Sequence, residues 1–494
     1  MSKIKKIDID TGRNRIIYLH RNGHIFKKEG FKCLSRVKIF NDVLTVYGIL
    51  HIIENDNVLT DFEIGLSSIF FKKYNIKEGD IFTIKTVGII PSFQYVLSKL
   101  NGFNYEEKHF NDIFNDIIEE KYDDSQIACF CSSTAGNSLN ENELLYLTKA
   151  MIKINKTIDW KKNIVVDKHC IGGIPGNRTT PPSIAIIAEY GMFIPKTSTR
   201  SITSPSGTID TMEVFTNVNI SDEKIVEIVN KTNGCLIWSG ILSPIDEIIM
   251  SVQKDLCLDG KGIMIASIIS KKMAAGSTHI LIDIPYGPQA KCKDLESAKS
   301  LKYDFETLGK NLGLYVYVTL SEGDQPIGNG IGPALEAKDI LDILKNEQNV
   351  CEDLKEKILY LSGIIIEFDP NVKKGDGIKI AKEILESGRA FERFKKICEA
   401  QGGYKEIQDS KYQKDVISEI EGKVCEINIK KISTLAKLTG CPSNKEAGIY
   451  LYKHLNDYVK KGEKIMTLHS NSVGELKTAY NFALDEQIFK IIYE

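Results

Sequence analysis

KHCIGGIPGNRTTPP, residues 168–182, decides how this chain is read, because it joins a β-branched run to a proline-started helix through three glycines. Upstream, Ile164, Val165 and Val166 predict a short buried strand over residues 163–167 of an α/β sheet. Ligands of such sheets gather at strand C-termini. There Lys168 and His169 supply positive or proton-donating groups, and Gly172, Gly173 and Gly176 let backbone N–H groups approach an anion without a Cβ in the way. Downstream, Thr180 is the expected N-cap, Pro181 and Pro182 fit the first turn, and Gly191 sits where a helix-ending glycine belongs. Such a helix points its positive end back at the loop. Taken alone, the loop reads as readily as a tight strand-to-helix connection.

The next segment changes that balance. IPKTSTRSITSPSGTID, residues 194–210, sets seven hydroxyls (Ser198, Thr199, Ser201, Thr203, Ser204, Ser206, Thr208) and the Arg200 guanidinium within eleven residues. A solvated Ser/Thr linker has that composition too. It would not normally follow the apolar residues 192–195, so the two segments together favour an oxyanion site.

These residues resemble the signature of the thymidine and pyrimidine-nucleoside phosphorylases, and within it the branch of archaeal AMP phosphorylases and their bacterial relatives. The likeness continues through LDGKGIMIASIISKKMAAGSTHILIDIPYGPQAK (residues 258–291) and GDQPIGNGIGPALEAKDIL (residues 323–341), so it runs from about residue 159 to the end. It implies phosphorolysis of an N-glycosidic bond with inorganic phosphate as co-substrate and no organic cofactor. By the resemblance, Lys168, Gly173, Thr180, Ser198 and Thr208 surround phosphate, with His169 beside them as a catalytic candidate. Thr199, Arg200, Ser201, Ile202, Thr203 and Ser204 match the stretch that wraps the nucleotide, with Arg200 the natural partner of a 5′-phosphate. Asp259 lies where the branch places a proton donor to the leaving base, although an N-cap carboxylate reads as well there. Ser267 and Lys271, four apart and so on one helical face, match base-contacting positions, and Lys291 matches a further ligand contact.

Two positions depart from the pattern. The serine usual after the Lys-His pair is Cys170, a weaker donor. Where thymidine phosphorylases place an arginine against a pyrimidine carbonyl, this chain has Val252. The expected substrate is accordingly a nucleoside 5′-monophosphate of AMP type, giving free base and ribose 1,5-bisphosphate. The alternative is thymidine phosphorolysis to thymine and 2-deoxyribose 1-phosphate, and a non-catalytic nucleotide-binding sensor is the reading from another class.

Composition excludes other classes. Sixty-four basic against sixty-six acidic residues, a net charge of -2, supply no field for nucleic acid or an anionic membrane. Eleven cysteines without CxxC spacing fit free thiols in a reducing cytoplasm. The start MSKIKKIDID has no apolar h-region, and no apolar run approaches the ~20 residues of a membrane span. A cytoplasmic protein is expected, and the family's habit implies a homodimer or larger homo-oligomer. No metal is expected: His20 and His24 flank Asn22-Gly23, which reads as a hairpin turn, and Cys129 and Cys131 stand alone. Asp283 and Glu322 fall near predicted strand ends and read as separate surface carboxylates, with a general acid/base pair as the alternative, and Glu336 and Asp339 read as a solvated helix face.

The predicted fold class is α/β, in four regions. Residues 1–90 alternate apolar and polar groups as a β-rich domain, and residues 91–158 are helical, with Asn140 and Glu143 spaced as a capping box. Residues 159–410 alternate strands (280–284, 314–320) and helices (267–275) as the central α/β domain that holds the site. Residues 411–494, with strands at 423–429 and 465–468, form an α+β C-terminal domain.

Overall fold

The structure is a computed structural model that describes residues 1–201, 204–256, 258, 260–348 and 350–492. By compactness the chain falls into two units, residues 1–138 with 249–260, and residues 139–248 with 261–494.

In the smaller unit, six strands close into a barrel in the order Ser2–Ile7, Glu63–Ser67, Ile16–His20, Thr45–Ile53, Arg36–Phe40, Ile81–Thr86. Alternation along these strands puts Ile4, Ile17, Leu19, Val37, Ile39, Val46, Leu50 and Ile84 inside, and closure removes exposed sheet edges. Three helices follow, Phe93–Leu100, Glu107–Ile118 and Asp124–Ser133, packed through Phe110, Phe114 and Phe130. Asn22-Gly23 is not the tip of a hairpin. Gly23 caps a short helix, His24–Glu29, and buried His20 turns to Asp61 (2.8 Å) and Asp56 (3.1 Å) instead of pairing with His24.

The larger unit carries a parallel sheet. Tyr315–Glu322, His279–Tyr286 and Val166–Cys170 pair in that order, and Ile194–Ser198 pairs with Gly234–Trp238. A bridge from Val165 to Phe193 links the two sets. The first strand therefore begins and ends about three residues later than the expected 163–167: its register against His279–Asp283 carries it through Lys168, His169 and Cys170. Helix Thr180–Tyr190 has proline in its first turn and ends at Gly191, whose φ is 114°. Its Ile184, Ile186, Ile187 and Ala188 are all buried, so no face is left for water. Thr179, not Thr180, is the N-cap residue, and no side chain caps the end.

Helix Glu141–Ile154 opens with the expected box, Asn140 accepting from Glu143 N–H while Glu143 accepts from Asn140 N–H. It packs on helix Lys261–Ala274 in the larger unit. After residue 410, strands Tyr412–Ile417, Lys464–Ser470 and Gly448–Leu451 form a sheet whose fourth member, Gly330–Ile331, comes from the α/β region. A second small sheet and helices Ile429–Leu438 and Val473–Asp485 complete that end. Among the described residues no helix is long and apolar enough to cross a membrane.

Candidate active site

Strand Val166–Cys170 carries a buried charge at its middle residue. The Lys168 side chain is completely buried, and its ammonium donates to Thr180 Oγ1 at 3.2 Å and to Thr179 Oγ1. Among the described residues no carboxylate lies within ion-pair distance of it. Burial accordingly pulls the Lys168 pKa down to about 8, partly offset by Asp283. A buried cation without an acid partner is costly, and an anion arriving at this point would relieve it.

The loop above this lysine is made by glycines in the left-handed region. At Gly173, φ is 101° and a Cβ would lie 3.1 Å from Lys291 N; at Gly176, φ is 72° and a Cβ would strike Ile327 O at 2.3 Å. Gly173 thus brings the GPQAK segment, with exposed Lys291, against the loop.

A second cationic group adjoins His169. Lys196 and Lys272, both buried, share one carboxylate, Asp167, at 3.3 and 3.1 Å, and both also donate to Thr197 O at 2.8 and 3.2 Å. Two amines cannot both be fully neutralised by one acid, and burial, with Lys196 beside it, pulls the Lys272 pKa down. His169 stands in the field of Lys272, Lys196, Lys271 and Lys291, and burial with these four lysines drives its pKa well below the usual range. At neutral pH it is a neutral imidazole, which leaves the proton-donating half of the expectation for that position and removes the positive half.

The hydroxyl-rich segment is tied to the glycine loop through Arg178. Arg178, the residue before the N-cap Thr179, donates through Nε to Glu336 (2.7 Å), through Nη1 to Thr208 Oγ1 (3.0 Å) and through Nη2 to Ser206 O (3.0 Å). Thr208 opens helix Thr208–Phe215, a second helix N-terminus facing this region. Asp210 closes the turn by accepting from the N–H groups of Ser201 (2.7 Å) and Gly207 (2.9 Å). Ser198 ends strand Ile194–Ser198, and Thr199 follows it, both partly buried. Ser201 and Ser204 hydrogen-bond each other at 3.1 Å.

Arg200 is engaged. Its guanidinium meets Glu213 at 2.5 and 3.1 Å, reaches Asn219 at 3.3 Å and lies 5.3 Å over the Trp238 ring. A substrate phosphate at Arg200 would have to compete with the Glu213 carboxylate. Lys445 ties the same acid (2.8 Å) and Asp210 (3.1 Å), so the charges of this segment are matched within the protein.

Ser267 and Lys271 share one face of helix Lys261–Ala274, where Ser267 is buried and Lys271 meets Asp246 at 3.7 Å. Asp259, Ile202 and Thr203 lie outside the described residues. Cys170 is partly buried with Asn177 Nδ2 at 3.4 Å, and burial with Asp283 pushes its thiol up to about 11.

Three carboxylates expected to face solvent do not. Asp283 is fully buried, accepting from Ser321 Oγ (2.7 Å) and paired with Lys357 (2.9 Å), whereas Glu322 is exposed. Glu336 is 1 % exposed because Arg178 and Thr211 hold it. Asp339 accepts from the N–H groups of Asn329 (2.8 Å) and Gly330 (2.7 Å), and burial raises it to about 7. Sequence reasoning misses Arg178, Thr179, Asp167, Lys196 and Lys272. Arg178 and Thr179 sit inside the quoted GNRTT, and that adjacency is the available signal.

The comparisons with known proteins run along the same residues. A family model described as "Glycosyl transferase family, a/b domain" matches residues 162–391, and one described as "Pyrimidine nucleoside phosphorylase C-terminal domain" matches residues 424–487. A Legionella pneumophila (strain Corby) protein carrying the name "Putative thymidine phosphorylase" is 39% identical over all 494 residues, covering 100% of this chain and 95% of that one. This chain belongs to the thymidine and pyrimidine-nucleoside phosphorylase family. Relatives of the same name in Parvibaculum lavamentivorans and Tolumonas auensis are each 38% identical over 472 residues, covering 95% of this chain and 93% of theirs. Among solved structures, an anthranilate phosphoribosyltransferase from Thermus thermophilus aligns with a TM-score of 0.52 at 14% identity, covering 62% of this chain and 98% of that one. At that identity the likeness is one of fold. The family makes the chain a pentosyltransferase of phosphorylase type acting with nucleoside and phosphate.

Proposed function

We propose that this enzyme is a pyrimidine-nucleoside phosphorylase with thymidine as its substrate, converting thymidine and phosphate to thymine and 2-deoxyribose 1-phosphate. The observation that carries the reading is the contrast in free charge: among the described residues the buried Lys168 ammonium has no acid partner, whereas Arg200 has Glu213. Phosphate would then be held at Lys168, Thr180, Ser198 and Thr208, aimed at C1′ of a nucleoside that brings no phosphate of its own. The names of the relatives favour the same order of substrates, so thymidine moves ahead of the AMP-type nucleotide first expected.

Asp259, by its family position, would protonate the departing base. Neutral His169, Ser267, Lys271 and Lys291 would line the nucleoside side, with no organic cofactor, and the enzyme would work as a homo-oligomer. Positioning the anion against a sugar that gains positive charge is the main source of rate. A nucleotide remains the second reading, favoured by Val252 in place of the carbonyl-gripping arginine.

The test is a substrate panel. Purified protein is given phosphate with thymidine, uridine, AMP, CMP or UMP in turn, and free base is measured by chromatography. Phosphate-dependent release of thymine faster than any base from a nucleotide is expected. Faster adenine release from AMP would restore the nucleotide, and tight nucleotide binding with no base release would leave a sensor.

A further inference from the structure

We propose that Arg178 is a positioning residue for inorganic phosphate, acting through the hydroxyl of Thr208. The inference rests on the phosphorolysis reading of the same cradle and adds to it a residue that does not itself touch the anion.

A guanidinium has only donors, so when Arg178 Nη1 lies 3.0 Å from Thr208 Oγ1, the threonine oxygen must be the acceptor. The single hydrogen of Thr208 is then left to be given elsewhere. The same logic holds at Lys168, whose ammonium donates into Thr179 and Thr180. Three hydroxyls around one loop thus have their oxygens engaged by cations and their hydrogens released, which is the polarity a multiply charged oxyanion requires.

Arg178 is itself fixed in two further directions. Buried Glu336 accepts from its Nε at 2.7 Å and from Thr211 Oγ1 at 2.9 Å, and Ser206 O accepts from its Nη2 at 3.0 Å. Ser206, Thr208 and Thr211 all belong to the turn and first coil of helix Thr208–Phe215, and Glu336 to helix Pro333–Leu344. The planar fork of arginine meets all three acceptors at once, and a lysine ammonium would not reproduce that geometry. A purely structural role would cross-link the two helices to the glycine loop without favouring either substrate.

The experiment separates the two roles with Arg178→Lys, Glu336→Gln, Thr208→Val and the double variant Arg178→Lys/Thr208→Val. KM is measured for phosphate and for thymidine, along with the melting temperature and its shift on adding inorganic phosphate. Arg178→Lys is expected to raise the phosphate KM about ten-fold, the loss of roughly one charge-assisted hydrogen bond, while the thymidine KM stays within about two-fold of wild type. Thr208→Val should match it, the double variant should be no worse than the poorer single, and Glu336→Gln should fall between wild type and Arg178→Lys. An unchanged phosphate KM in Arg178→Lys, equal rises in both KM values, or multiplying losses in the double variant would overturn the proposal. Should wild type release no base from any nucleoside, the phosphorylase reading fails by itself. The phosphate-induced melting shift then decides the Arg178 question: equal shifts in wild type and Arg178→Lys reject it, and a shift lost in Arg178→Lys and Thr208→Val alike supports it.

Discussion

Lys168, in the middle of strand Val166–Cys170, and Arg200, two residues past the end of strand Ile194–Ser198, are both cations set among glycines and hydroxyls, and their surroundings treat them in opposite ways. Lys168 is fully buried, its ammonium donating to Thr179 and Thr180 with no carboxylate in ion-pair range among the described residues, and on the opposite face of the same strand Lys196 and Lys272 divide a single Asp167. Arg200 is one-third exposed, meets Glu213 and Asn219, and stacks on Trp238, with Lys445 completing the balance. One region is short of negative charge and the other is not. A negatively charged ligand gains most where the protein has left the charge unmatched.

The comparison breaks first at Lys168. Lys168→Met removes the unmatched charge and should lower kcat/KM for phosphate by about 10²–10³-fold, the scale of losing one preorganised donor to an anion in a dry site. Because the ammonium costs free energy to bury, the variant should melt no lower than wild type. A loss of less than about three-fold would show that the anion sits elsewhere, and a collapse of the fold would show the lysine to be structural.

The pH dependence sharpens the same point. Lys168 is cationic below about 8 and neutral above it, so kcat/KM for phosphate should fall as pH rises through about 8. Bound phosphate stabilises the ammonium, so the corresponding limb of kcat should move to higher pH. The sign for stability is opposite. The unfolded chain holds this proton up to 10.5 and the folded chain only to about 8, so folding becomes more favourable as pH rises across that interval. In Lys168→Met the limb of kcat/KM near 8 should vanish, and its survival would assign it to Lys272 or another group.

What the sequence made legible was local. The glycine loop, the proline-started helix and its Gly191 stop are written within a few residues of one another, and the structure holds them with a three-residue shift in the strand. Charge balance was not local. Glu336 lies 158 positions from the Arg178 it neutralises, and Lys272 lies 75 from the Thr197 carbonyl it shares with Lys196. Alternation and capping patterns carry no information about pairings at that distance. That is why Glu336 reads as solvated, whereas Asp339 and Arg200 meet partners only 9 to 13 positions away, across turns whose course those patterns do not give either.

Arg200 is the next place to press. Arg200→Gln should cost about 1–2 kcal/mol of stability through the lost ion pair and ring contact, and it should lower thymidine and AMP turnover to similar extents. Glu213→Gln is the complementary variant, since it releases the guanidinium and should raise kcat/KM for AMP relative to thymidine. If Arg200→Gln instead abolishes AMP turnover and spares thymidine, Arg200 does hold a substrate phosphate and the contrast between the two regions fails.

The smallest effect is expected at Cys170, which lies on the Lys168 side of the comparison. Its thiol, pushed up to about 11, is neutral at working pH and a weak donor. Cys170→Ser places a stronger donor at the strand end beside Lys168, where the family has serine. If the position faces phosphate, the phosphate KM should fall by about two- to five-fold, the value of improving one neutral hydrogen bond. If the thiol instead fills space against Asn177, the KM should hold while the melting temperature drops, because a hydroxyl is smaller than a thiol and costs more to bury. The two readouts move independently, so one variant decides whether the unmatched charge extends its reach to the end of the strand or stops at the lysine.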